Sequence, residues 1–446
     1  MANETKDKAA KVRRTTPAVV SLSKNKIRIF GDNVLYNNGI ITAFYILPLK
    51  NYSTSSSVGI EQTVVELTSI IKNLYISNPT VEFTIERIDK VIKKKDVLSN
   101  LIGTISMYKP EYDMPPEFTN NVKDDLQSYC LLGIDIQQST IENIDDYSIK
   151  DTFKSLAKQA INMAAGLGNL SADPEKILKL ETNVYNAIRD KCVRASKDLV
   201  FYSYVSKLYP CYEISYDKLS YINENNFEDI LGAVTQTVSD NFGWFEMHNE
   251  GVDFFDLMPQ ITYGCMVDIK SFPKIINSSN FAMNGFPRLV TSIKTLKKED
   301  AVLQIKRIRS ADRFTADQAI EAGAEIEVIE RLGESISIAT MALEDVEEKD
   351  EILCQFNTSM LITATDIDTL KQYIAEVTTS CKDRNILISK SLTQALDFLN
   401  NYVNKKPKKY EHMANIAFPL SFQQNAGAAV GDTDEIWSPA IGEDIS

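Results

Sequence analysis

No Gly-Lys dipeptide occurs anywhere in the 446 residues. A triphosphate-binding P-loop needs glycines that let backbone N–H groups approach phosphate, then Lys and Ser/Thr for charge and magnesium. That motif is absent, not merely degenerate. The nearest Gly-x-Gly, Gly166-Leu167-Gly168, follows a helical pattern instead of a strand and has no third glycine, so it reads as a helix break and not as a dinucleotide site. Histidine is scarce: His248 and His412 are the only two. A histidine-based triad or metal centre would have to use one of them. His248 stands in Trp244-Phe245-Glu246-Met247-His248-Asn249-Glu250. Glu246 and His248, two apart on a strand-like segment, could serve as metal ligands or as an unrecognised hydrolytic centre; a loop histidine beside a carboxylate is the simpler reading. His412 lies among lysines and is expected to be exposed.

The six cysteines are at least 19 residues apart and form no C-x-x-C pair, which excludes the usual zinc and redox spacings. Their apolar neighbours fit free thiols buried in a reducing compartment. No signal-peptide pattern follows the basic N-terminus. The best apolar run, Ile40 to Leu49, is broken by Thr42 and Pro48 and has half of the ~20 residues a spanning helix needs. No repeat of solenoid period is visible.

What is present favours a folded chain. Apolar residues make up 44%, with 19 Tyr and 19 Phe, enough for cores in two to four domains. The net charge of −13 argues against direct nucleic-acid binding, which needs a basic surface. The charge is uneven. Residues 1–28 carry eight bases against two acids, a balance of +6, whereas residues 317–351 carry twelve acids against Arg331 and Lys349, a balance of −10. Each run reads first as a solvated face; the basic one could also contact anionic lipid. Acid pairs such as Asp124-Asp125 and Asp145-Asp146 are sequence neighbours that do not face one another on a helix. Phe201, Tyr202, Tyr204, Tyr209 and Tyr212 have only Lys197 and Lys207 as basic companions, so they read as buried aromatics and not as a base-stacking platform. No catalytic, cofactor-binding or metal-ligating residue is assigned.

Periodicity divides the chain into five parts: a flexible basic arm over 1–25, a first α/β subdomain over 26–148, a mainly helical segment over 149–250, a second α+β subdomain over 251–404 and a connector over 405–446. In the first subdomain, strands are expected at Ile27–Phe30 and Ile40–Leu47, then a helix through Ile60, Val64, Leu67, Ile71 and Leu74. Next comes a strand whose Thr80, Glu82, Thr84 and Glu86 side should be wet. The helical segment restarts at the Asp173-Pro174 cap and ends with a helix over Phe227–Phe242. In the second subdomain, strands are expected around Tyr263–Ile269, Arg288–Thr295, Cys354–Ile362 and Arg384–Ser389. Two helices over 299–345 should meet near Ala311–Thr315, Asp366 should cap the next helix, and Leu392–Val403 should close the unit. The order predicts an α+β fold: two α/β subdomains with mainly antiparallel sheets, helices stacked on one face, plus a helical insert.

Gly31-Asp32-Asn33-Val34-Leu35 to Gly39-Ile40-Ile41-Thr42-Ala43-Phe44-Tyr45-Ile46-Leu47-Pro48 resembles the opening of type IV secretion and conjugation ATPases of the TrbE/CagE/TraC kind, particularly forms from Gram-positive mobile elements. The segments 366–381, Asn385–Ser389 and Gln394–Leu399 resemble the end of that family's N-terminal region. Ala417-Phe418-Pro419-Leu420, Gly427, Val430-Gly431-Asp432 and Pro439-Ala440-Ile441-Gly442-Glu443 look like its bridge to the motor domain. The resemblance implies a non-catalytic docking region, cytoplasmic and peripheral to the inner face of the membrane. Its implied partners are inner-membrane subunits of the transfer channel and further copies of itself. ATP and magnesium are then expected only in a C-terminal motor domain beyond Ser446, and none of that domain's residues transfers to this chain. A stand-alone structural protein of a mobile genetic element is the alternative.

Overall fold

In the computed structural model, the described residues are 19–21, 27–37, 40–47, 57–92, 125–136, 174–209, 236–241, 243–249, 259–272, 288–403, 405–406 and 409–428. In chain order they form β1 (Val19–Ser21), β2 (Ile27–Phe30), β3 (Val34–Asn37), β4 (Ile40–Leu47), α1 (Ser57–Ser77), β5 (Glu82–Ile92), β6 (Asp125–Asp135), α2 (Pro174–Ile188), β7 (Val193–Arg194) and α3 (Lys197–Leu208). Then follow β8 (Gln236–Asn241), β9 (Trp244–Asn249), β10 (Gln260–Ser271), β11 (Arg288–Thr295), α4 (Lys298–Glu321), α5 (Ile326–Glu348), β12 (Leu353–Ala364) and α6 (Ile367–Asp383). The last elements are β13 (Leu387–Lys390), α7 (Gln394–Asp397) running into a π-turn over Phe398–Val403, β14 (His412–Asn415) and α8 (Ala417–Ala428).

The class is α+β. Among the described residues all fourteen strands belong to one sheet, with the path β1-β8-β9-β10-β12-β11-β5-β6-β4-β3-β2; β7, β13 and β14 pair with β4, β10 and β12. Every pairing is antiparallel. The seam between the two expected subdomains is the β5–β11 ladder, in which Val290 faces Glu86 and Ser292 faces Thr84. Strands from both segments thus share one sheet.

Helices cover both faces of that sheet, not one. On the first face α3 and the α7 π-turn pack over Phe44, Ile88, Phe245, Met266, Val290 and Leu361. On the second, α1, α2 and α8 pack over Val34, Tyr45, Phe83, Ile85, Ile293 and Phe356, and α6 packs over Cys265, Val267, Met360 and Ile362. The wet side expected for β5 is therefore dry: Thr84 and Glu86 are 3% and 2% exposed. Alternation of polar and apolar residues marks one solvated face only while nothing covers it, and α3 covers it here. Asp366 caps α6 as expected, accepting from Thr369 N at 2.8 Å, and Leu370, Ile374, Val377 and Cys381 form its buried stripe. Such burial stabilises by about 1.5–3 kcal/mol per large aliphatic side chain.

Several boundaries differ from the sequence reading. The arm over 1–25 contributes β1, which pairs with β8. The segment 149–250 supplies β7, β8 and β9, and the helix expected over Phe227–Phe242 is strand in its described part. Thr237, Val238 and Ser239 satisfy their backbone in the sheet opposite β9, and that outweighs their weak helical spacing. The long helices meet at Ala322–Glu325, beyond Ala311–Thr315, with Gly323 at φ 67 making the turn. Gly166–Gly168 and Tyr212 lie outside the described residues.

The expected connector is partly structural. β14 pairs with β12, and α8 packs against α1. Gln423 on α8 is buried; its Oε1 accepts from Thr291 Oγ1 at 2.9 Å and its Nε2 donates to Leu289 O at 3.0 Å. A polar side chain satisfied on both ends anchors the helix to one register.

Candidate functional site: two lysines on one buried carboxylate

α3 is apolar on nearly every side. Leu199, Val200, Phe201, Tyr204, Val205 and Leu208 are all buried, and Ser196 caps its start by accepting from Leu199 N. A lysine in its last turn cannot reach water without unpacking the helix. Lys207 is 2% exposed, and its Nζ lies 2.8 Å from Glu86 Oε2. Lys405, 9% exposed, reaches the same oxygen at 3.0 Å. Its backbone sits at φ 54, a left-handed conformation that a lysine holds only when its surroundings require it. Its carbonyl accepts from Ser292 Oγ at 3.1 Å, which fixes the segment to β11.

Aromatic rings flank the ammoniums: Lys405 Nζ is 4.5 Å from the centre of the Phe44 ring and Lys207 Nζ 5.5 Å from that of Tyr402. Arg288, on the same face of the sheet, donates to Ser206 O. Burial pushes the Glu86 carboxyl up, yet the two ammoniums outweigh it and hold the group below its ordinary value. Burial also pushes Lys207 down, to about 7, against the opposing pull of Glu86. A lysine near neutrality is what a general base requires. The adjoining cavity, lined in part by Thr42, Phe44, Ser203, Tyr204, Lys207 and Lys405, is however about 30 Å³. That is room for a couple of waters and none for an organic substrate.

The residues singled out from sequence fare differently. His248 and Glu246 do come together, with Nε2 3.5 Å from Oε2, but His248 is exposed and Glu246 Oε1 accepts from Asn241 Nδ2 at 2.7 Å. Among the described residues no group of three potential metal ligands forms. His412 is half-buried, not exposed: its Nε2 is 2.7 Å from Ile269 O, and its ring packs against Phe272 and Phe356. Phe201, Tyr204 and Tyr209 are buried, as read. The five described cysteines are free and buried; burial pushes Cys130 and Cys192 up to about 12, which leaves them unreactive.

The sequence pointed to neither Lys207 nor Lys405 as a pair, nor to Glu86 as their partner. The one available signal was a lysine inside an otherwise apolar helix stretch. A second polar centre is structural: Arg194 grips Glu181 through two bonds of 2.8 Å. Tyr45 and Asn33 each donate to Glu181 Oε1 at 3.1 Å, tying α2 to β4.

No family model matches the chain, and no curated protein matches it. No helix among the described residues is long and apolar enough to cross a membrane.

Proposed function

We propose that this chain is the non-catalytic docking and assembly region of a type IV secretion or conjugative DNA-transfer ATPase, and that the α4–α5 hairpin is its attachment element. The observation that carries this reading is the run of exposed apolar side chains along that hairpin. Among the described residues, the hairpin's base packs on the sheet side through Ala301, Ile305, Ala339, Leu343 and Val346 against Leu296 and Leu353. Further out, Phe314 is 64% exposed, Ile320 58%, Ile326 73% and Ile338 58%. Exposed apolar side chains gathered on one projection mark an interaction surface. The acidic balance of 317–351 selects a basic partner, and cytoplasmic segments next to membrane spans are rich in Lys and Arg. Inner-membrane channel subunits offer that chemistry.

The test is co-purification of the 446-residue chain with the membrane subunits of its transfer system. Replacing Phe314, Ile326 and Ile338 by Ser should abolish capture while leaving the unfolding midpoint unchanged. Undiminished capture by that folded variant would refute the role of the hairpin. Discrete oligomers of the chain alone, with no membrane subunit retained, would favour the stand-alone structural protein.

A further inference from the structure

The geometry points to a binding site for a single small monovalent anion, of chloride size, in the cavity between Lys207 and Lys405. Three observations converge on it. The first is charge. Lys207 and Lys405 share one carboxylate oxygen of Glu86, with Arg288 a third cation on the same face. Among the described residues no other carboxylate pairs with either lysine; Glu82 and Asp135, next along the sheet, are engaged by Lys294 and Lys406. Buried charge without a counter-charge is strongly unfavourable, and one anion balances the lysine pair.

The second is hydrogen bonding. An ammonium carries three donors, and the buried Lys405 Nζ can spend one of them on Glu86 Oε2 at 3.0 Å, which leaves two to be satisfied. Buried donors in folded chains are as a rule satisfied. The third is space. The cavity has Lys207 and Lys405 in its wall together with the hydroxyl-bearing Ser203 and Tyr204. At about 30 Å³ it admits a monatomic ion and a water but no phosphate ester. The left-handed backbone at Lys405 is the local strain that aims the side chain there. The anion would join α3 to the segment after the α7 π-turn, over Leu35 of β3 and Thr42 and Phe44 of β4.

Two measurements test this on the full chain. Crystals soaked in sodium bromide should show an anomalous peak within ion-pairing distance of both Nζ atoms. A cavity holding only water at saturating bromide would overturn the assignment. In solution at constant ionic strength, replacing gluconate by chloride should raise the unfolding midpoint in a saturating manner, by about 2 °C or more, and Lys405→Met should remove that dependence. An equal chloride response in folded Lys405→Met, or none in the parent chain, would equally refute the site.

Discussion

Lys207 on α3 and Glu86 on β5 meet at 2.8 Å with both side chains 2% exposed. Lys405, arriving from the C-terminal side of the π-turn, completes the contact at 3.0 Å. Three segments remote in sequence thus converge on a single oxygen in the middle of the sheet. The contact behaves less as a surface ion pair than as a keystone whose removal leaves charge stranded in an apolar layer.

The pH dependence of stability follows from Lys207. Its folded value lies at about 7 against an ordinary 10.5, so between the two the unfolded chain binds more protons and stability rises with pH. Its destabilisation is fully present below about pH 7. Glu86, Lys405, Arg288 and Tyr402 are the charged and titratable groups around it. In chloride-free buffer, urea unfolding should show a gain on the order of 1–2 kcal/mol between about pH 7 and about pH 8.5. Lys207→Met should flatten the rise. The buried thiols act in the opposite sense at higher pH, since burial keeps Cys130 and Cys192 protonated up to about 12, and the measurement therefore stops short of that range.

Removing the shared carboxylate should do more damage than removing the whole pair. Glu86→Gln leaves two buried ammoniums facing each other and is expected to destabilise by about 3–5 kcal/mol. Glu86→Met combined with Lys207→Met should lose less than the sum of the two single changes. Additive losses in that double-mutant cycle would mean the contact carries no coupling.

Gly264 on β10 lies directly opposite Phe245 on β9. A Cβ built at Gly264 would stand 2.4 Å from the Phe245 ring, itself fully buried and 4.9 Å from Phe398. Gly264→Ala should destabilise by about 1–3 kcal/mol through overpacking. Adding Phe245→Leu should recover part of that loss, as read from urea midpoints of the four variants.

The C-terminal helix should prove part of the folded unit. Phe422 is fully buried and packs edge-on against Phe272 at 5.0 Å. Phe422→Ala is expected to reduce stability by about 3–5 kcal/mol, visible as a lowered midpoint in thermal unfolding. An unchanged midpoint would return α8 to the status of a connector.

The strands and helices that the sequence revealed are those whose period is enforced locally. Ile40–Leu47 and the α6 stripe of Leu370, Ile374 and Val377 with its Asp366 cap can both be read from neighbours within a few residues. The failures share one cause. β8, β14 and α8 are short or compositionally bland, and they take their state from the elements they pair with: the distant β1 and the adjoining β9 for β8, β12 for β14, α1 and the sheet for α8.

The candidate site was even less legible. Glu86 has the alternation of a solvent-facing strand residue, Lys207 that of a helix-end cation, and Lys405 that of a basic linker. Local sequence determined their chemistry; only the folding of α3 and the π-turn over the same face of β5 decided that they would be buried together. Burial is a property of what covers a residue, and the covering elements here lie more than a hundred positions away from Glu86. The charges were written in the chain, but the low-dielectric setting that makes them consequential exists only in the packed sheet.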